Sequence, residues 1–506
     1  MKSGNGFTRF LKERPRVALL LIILFGFIFV ILVEFPTLVS GYPSGYDAYA
    51  HAGAALLVAK GGLAASPASP IYPPFLMVFL ATLYKLTGIN PLHLIMPVGL
   101  VAQLLCIPPM YYITVKISGD KTMGLYAAFI TAINPIGLYL VIMGTIPNLL
   151  GFLGFLLFLS ILISDYRSKP IGIIMMSLSE IFIFYVHLLV SAFLIFFFVL
   201  VFVYEVLLRK GTRYVIPFFI SLVISVPIAA IYYLPRIGYF YLGTLGGTNY
   251  LIWTLTNDIA LPILLLPALL IFLASMRKKF IPAKSQHLTV LKLWYLSPLL
   301  ITLLFVWEVG VVNRMWTFAA YPAIVVLAMV IPMKLKAMNK IRTKRTVAIA
   351  TAAILIGGTC FSFAVSASLV SLLPNATPQR IQLSNWIMAN TPVDAKFCTE
   401  EGNFVTNLGW FITGTTGRMA YESLGAFAGP FELGMDVARD IELAMNITSL
   451  QAGSTYWIQA LKSLNVTYVV LLAGNSHPNY ASISNDTAYT NSAYIVYNVT
   501  TYTLAP

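Results

Sequence analysis

Eleven stretches of this chain are apolar over lengths near that of a membrane crossing, and no other feature constrains its fold as tightly. They lie near residues 17–38, 71–88, 91–115, 122–143, 147–164, 171–208, 214–234, 252–275, 291–309, 316–333 and 346–372. A helix needs ~20 residues to cross the hydrocarbon, where no backbone polar group can be left unpaired. The 171–208 stretch is about twice that length and divides near His187, which gives twelve segments. Hydrophobic residues make up 59% of the chain and charged residues 10%, and the mean hydropathy is +0.84. That composition excludes a wholly soluble protein. The expected fold is a polytopic α-helical membrane protein of 11 to 13 transmembrane helices, with a C-terminal extracytoplasmic domain of mixed α/β structure.

Charge orients the chain. Up to residue 372 there are 27 basic and 9 acidic residues, and after it 5 and 9. The basic excess sits at the N-terminus (Lys2, Arg9, Lys12, Arg14, Arg16) and in short loops: Arg209 to Arg213, Arg277 to Lys279, and Lys334 to Arg345. Such placement follows the positive-inside rule, so these segments are expected in the cytoplasm of a multi-pass plasma-membrane protein. It offers no basic, aromatic-interleaved patch for nucleic acid. The first span is too long for a signal-peptide core and is read as retained. The last span then leads outward. An inside N-terminus and an outside C-terminus require an odd number of crossings, so a pair of half-length helices or a non-crossing segment is expected between residues 39 and 170.

Two regions follow: a membrane domain, 1–372, with an outer loop at 39–70, and a soluble tail, 373–506. Five Asn-x-Ser/Thr acceptors, Asn375, Asn446, Asn465, Asn485 and Asn498, all fall in the tail, which marks it as a candidate recipient of N-glycans. Within it, 378–390 and 456–463 suit amphipathic helices, and Tyr468–Leu472 and Tyr494–Tyr497 suit strands. The three cysteines, Cys106, Cys360 and Cys398, draw neither a disulfide framework nor a zinc site.

The candidate chemistry lies near the outer surface. Asp47, in Gly45-Tyr46-Asp47-Ala48-Tyr49-Ala50-His51, is a carboxylate just past the first span. It is placed to act as a general base on an acceptor hydroxyl; capping a helix is the alternative. His51 shares its face if the stretch is helical, and would orient Asp47, bind phosphate or help hold a metal. One Asp–His pair leaves a divalent metal an open possibility. His187 is ionisable within an apolar run, a functional candidate by default; a neutral, hydrogen-bonded structural histidine is the alternative. Arg314 and Arg236, at the outer ends of spans, suit a lipid phosphate, or snorkel to headgroups. Tyr46 and Asn148 are candidate contacts in the same cavity. Glu180 and Glu205 are expected to be structural. No phosphate loop, dinucleotide fingerprint or Ser-His-Asp order is present.

Together these residues resemble the GT-C superfamily of membrane glycosyltransferases. The acid in the first outer loop is Asp47, and Tyr72-Pro73-Pro74-Phe75-Leu76 is similar to a Pro-Pro-Leu run of several members. His187, and Arg314 with Asn313 ahead of Tyr321-Pro322-Ala323, also fit. Leu408-Gly409-Trp410 to Thr416-Gly417-Arg418 looks like the soluble part of archaeal members. Two departures stand out. The double-acid motif is missing, since Tyr46 and Ala48 flank Asp47, and Trp410 is followed by Phe411 where oligosaccharyltransferases carry Trp-Trp-Asp. The resemblance implies inverting transfer of a single sugar, hexosyl or mannosyl in type, from a polyprenyl- or dolichyl-phosphate carrier. The acceptor would be a hydroxyl of a lipid, glycan or protein at the outer face. A transporter or flippase of a lipid-linked sugar, and a non-catalytic scaffold, are the competing readings.

Overall fold

The computed structural model describes residues 13–63, 72–208, 211–235, 287–304, 309–337, 353, 356–361, 363–368, 376–400, 408–421, 443–444 and 446–504. Arg236, Asn375 and the 252–275 span lie outside the described residues, as do the side chains of Tyr46 and Arg314.

Among the described residues, five helices have the length and apolarity of a crossing: Pro15–Val33, Pro91–Ser118, Lys121–Ile142, Leu188–Leu208 and Val215–Tyr233. Shorter apolar helices run over Phe75–Thr87, Ile146–Leu162, Pro170–Val186, Leu288–Thr302, Thr317–Val330 and Ile356–Ser368. The fold is that of a polytopic helical membrane protein. The first span is shorter than its apolar run: it ends at Val33, and Glu34 starts a separate short helix, Phe35–Ser40. The 122–143 run breaks at Asn134, whose side chain accepts from the Ile136 amide and caps a second helix, Pro135–Ile142. Phe75–Thr87, at 13 residues, is about 20 Å long and falls short of the hydrocarbon thickness.

The long run divides at His187, where φ −157° and ψ 120° separate Pro170–Val186 from Leu188–Phe202. Glu180 is structural, as expected. It is fully buried, and its two oxygens accept from Ser221 and Ser225, each at 2.6 Å, clamping Pro170–Val186 to Val215–Tyr233. Glu205 accepts from the amides of Tyr214 and Val215 at 2.7 and 2.9 Å, which caps the next helix.

The tail holds a five-stranded mixed sheet, β1 (Lys396–Thr399), β2 (Met419–Tyr421), β3 (Tyr468–Leu472), β4 (Thr487–Thr490) and β5 (Tyr494–Asn498), in the order β2-β1-β3-β5-β4. β1 is parallel to β2 and β3, and β5 is antiparallel to β3 and β4. Helix Leu408–Thr416 connects β1 to β2 in the manner of a crossover. Helices Pro378–Asn390 and Thr455–Leu464 are as expected from sequence. Of the glycan acceptors, Asn465, Asn485 and Asn498 are exposed and Asn446 is half-buried.

Candidate functional site

Asp47 stands in the first turn of helix Tyr46–Gly61, behind an extended Gly45 that supplies no side-chain cap. It is half-buried, and His51, one turn on, is buried. The spacing therefore puts both on one helix face. The helix start is seated by two glycines. A Cβ on Gly45 would collide with the backbone of Ile142 and Met143, and one on Gly144 (φ +77°) with the backbone of Ala48. The Met143–Gly144 turn thus lies directly against the segment that carries Asp47.

That turn leads into helix Ile146–Leu162, whose first turn holds Asn148. Asn148 is 2% exposed, and its Oδ1 has no hydrogen-bond partner among the described residues. Native structures rarely leave such an atom unpaired, so it is a natural attachment point for a ligand or water. One turn further, a Cβ on Gly151 would sit 3.3 Å from the His187 Cβ and 3.0 Å from Val190. Helix Ile146–Leu162 is therefore packed on the start of helix Leu188–Phe202.

His187 caps that second helix. The Val190 amide donates to its Nδ1 at 3.4 Å, so Nδ1 is the accepting ring nitrogen and a donated proton is carried on Nε2. The Ser191 hydroxyl donates to the His187 carbonyl at 2.9 Å. Tyr72 then ties the histidines together. Its ring centroid is 5.5 Å from that of His51 and 6.5 Å from that of His187, edge-on to the latter. Its carbonyl accepts from the Tyr232 hydroxyl at 3.1 Å. Because Pro73 follows, the extended backbone is favoured at Tyr72. In the sequence only an aromatic immediately before Pro-Pro marks Tyr72.

Three helix N-termini, those carrying Asp47, Asn148 and His187, therefore converge. Each contributes roughly half a positive charge and unpaired amides, a combination that favours an anion. Arg314 is placed by its backbone. Helix Leu288–Leu304 begins where Thr289 meets the Tyr204 hydroxyl (3.3 Å), at the far end of Leu188–Leu208, so the following helix, Val309–Ala337, starts at the site end. Phe318 lies 5.2 Å from Phe152 and 5.4 Å from Phe193. Position 314 is one turn nearer the site than Phe318. Metal ligation gains no further support: among the described residues no group of three or more His, Cys, Asp or Glu gathers.

The tail is docked on the same helix. Gly53 faces Thr413, and Gly414 faces the Tyr49 carbonyl, where a Cβ would come within 2.8 and 2.7 Å. Tyr49 packs on Phe411 at 5.1 Å, and Arg380 lies 5.6 Å over the same ring. Lys60 donates to the carbonyls of Gly417 and Val393. Burial, then the Arg418 guanidinium, holds its ammonium below the usual lysine range, against a smaller upward pull from Asp394.

No family model matches the chain, and no curated protein matches it in sequence. Solved structures do. ArnT from Cupriavidus metallidurans bound to undecaprenyl phosphate is similar over 94% of this chain and 97% of that one, with a TM-score of 0.56 at 13% identity. Its apo state gives 0.55, also at 13% identity, over 94% and 98%. The Archaeoglobus fulgidus oligosaccharyltransferase in its apo form gives 0.54 at 12% identity, over 89% of this chain and 69% of that one. The chain has the GT-C fold. At these identities the likeness is one of GT-C architecture, a helical membrane body with a C-terminal α/β domain.

Proposed function

We propose that the protein is an inverting glycosyltransferase that moves a single sugar from a polyprenyl- or dolichyl-phosphate carrier to an acceptor hydroxyl at the outer face of the membrane. The convergence of three helix N-termini beside Asp47 carries this reading. The acceptor oxygen attacks the anomeric carbon and Asp47 takes its proton. The bond from that carbon to the phosphate oxygen breaks, and the electron pair leaves with the phosphate. Its growing charge would be met by the N-terminal amides of helices Ile146–Leu162 and Leu188–Phe202, by the His187 Nε2 proton and by Arg314, with Arg236 and Tyr46 as further contacts. Dipoles fixed before reaction are the efficient way to stabilise such charge. The likeness to a GT-C enzyme bound to undecaprenyl phosphate supports a lipid-phosphate donor.

A hydroxyl acceptor is favoured over the amide of an asparagine. Trp410 is followed by Phe411, so the Trp-Trp-Asp run of oligosaccharyltransferases is absent there, and the two rings are packed in a seam with Tyr49 and Leu92. The domains of the reading are the membrane body to residue 372 and the tail from 373. The test is turnover of a panel of radiolabelled polyprenyl-phosphate sugars in liposomes with membrane extract as acceptor, with and without EDTA. Sugar consumed and transferred supports the transferase, and EDTA sensitivity decides the metal. A carrier that is bound or moved across the bilayer with its sugar intact supports the flippase reading instead.

A further inference from the structure

The helices that bring Asn148 and His187 to the site meet again at their opposite ends. There Ile107–Ser118, Ile146–Leu162 and Pro170–Val186 enclose a groove of about 400 Å³ lined by Tyr112, Ile161, Tyr166, Ile171 and Met175. The connection between the last two helices folds back so closely that a Cβ on Gly172 would collide with the Tyr166 carbonyl, which fixes the groove wall. Ile171, Ile174, Met175 and Leu178 around it are all about half exposed. On a membrane helix such a face borders acyl chains.

The rim is cationic. Lys116 lies 5.9 Å over the Tyr112 ring and Lys169 4.7 Å over that of Tyr166. Arg167 and Arg213 lie 5.6 and 5.5 Å from the Tyr214 ring, whose hydroxyl meets His287 Nδ1 at 2.8 Å. Arg167 donates to the Ser164 carbonyl at 2.9 Å, and its Nε is buried with no hydrogen-bond partner among the described residues. Among the described residues the carboxylates here are Asp165, paired to Lys116 at 2.7 Å, Glu205, which caps Tyr214 and Val215, and Asp120, which caps Thr122. Among those residues, four cations thus face one exposed carboxylate.

We propose that this groove binds an anionic phospholipid of the leaflet opposite Asp47, with its phosphodiester at Lys116, Arg167 and Lys169 and an acyl chain along Ile161, Ile171 and Met175. Apolar walls joined to a basic rim match that ligand and not a free anion, which would leave the groove unfilled. Juxtamembrane cations prefer anionic lipid by about fivefold each.

Native mass spectrometry of the full chain, delipidated and titrated with phosphatidylglycerol or phosphatidylcholine, tests this. Wild type should retain phosphatidylglycerol preferentially. Replacing two cations, Arg167→Gln with Lys169→Gln, should lower that preference about thirtyfold. Met175→Trp, which fills the groove without changing charge, should lose the bound lipid whatever its headgroup. Equal retention of the two lipids by wild type, or an undiminished preference in the double variant, would overturn the proposal. So would displacement of the lipid by inorganic phosphate, which would mark a soluble-anion site.

Discussion

Gly144→Ala tests whether the seat of the Asp47 helix controls catalysis. Two costs arise there. Gly144 has φ +77°, where an alanine costs about 1–2 kcal/mol. Its new Cβ would also lie 2.8 Å from the Ala48 Cα, at least 0.6 Å inside the 3.4 Å at which ordinary contact begins. Overpacking of that kind costs about 1–3 kcal/mol. The expected loss of stability is therefore roughly 2–5 kcal/mol. Relief of the overlap moves Ala48, and with it Asp47, by a sizeable fraction of an ångström. A misplacement near 1 Å costs on the order of 10²-fold in rate, equal to about 2.7 kcal/mol of transition-state stabilisation. Gly88→Ala is the control: its φ is +72°, but a Cβ there meets nothing within 4 Å, so it carries the strain without the displacement. The assay is kcat/KM for sugar transfer in liposomes, with thermal unfolding in detergent alongside. The two variants should lose stability, but only Gly144→Ala should lose rate. A Gly144→Ala rate within threefold of wild type, or an equal rate loss in Gly88→Ala, would refute the reasoning.

Other outcomes follow from single residues. His187→Ala removes the side-chain cap of Leu188–Phe202 and should cost about 1 kcal/mol; His187→Asn, which can accept the same amide, should restore most of the thermal stability while leaving turnover depressed. Glu34 lies just past the first span and is 2% exposed. Burial pushes its carboxyl up to about 7, against a smaller downward pull from the Thr37 hydroxyl. The folded state then holds this proton more tightly than the unfolded chain, so stability should fall as pH rises from about 4.5 to about 7 and level off above. Thermal unfolding across pH checks this, since Glu34→Gln should flatten the profile by an amount up to about 3 kcal/mol.

How much of this was legible in the sequence depended on whether a signal was local. The break at His187 could be read because one ionisable residue interrupts a run twice the length of a span. The tail strands at Tyr468 and Tyr494, and the helices read at 378–390 and 456–463, were legible from local pattern. The four-residue spacing of Asp47 and His51 gave a shared face only on condition of a helix, and helix Tyr46–Gly61 meets that condition. The bridge from His51 through Tyr72 to His187 was not legible, because ring packing between separate helices leaves no periodicity. The paired close approaches, Gly45 with Met143 and Gly144 with Ala48, were hidden for the same reason: a glycine in sequence does not name the backbone it touches. The docking of Leu408–Thr416 on the Asp47 helix joins the two regions that composition had separated.

The most direct test of the central claim is the single-turnover rate of Asp47→Asn in liposomes, measured beside its affinity for the polyprenyl-phosphate sugar. The account predicts a rate lower by about 10²–10⁴-fold, the contribution of a positioned general base, with donor affinity within a few-fold of wild type. A rate within a few-fold of wild type would contradict it and remove Asp47 as the base.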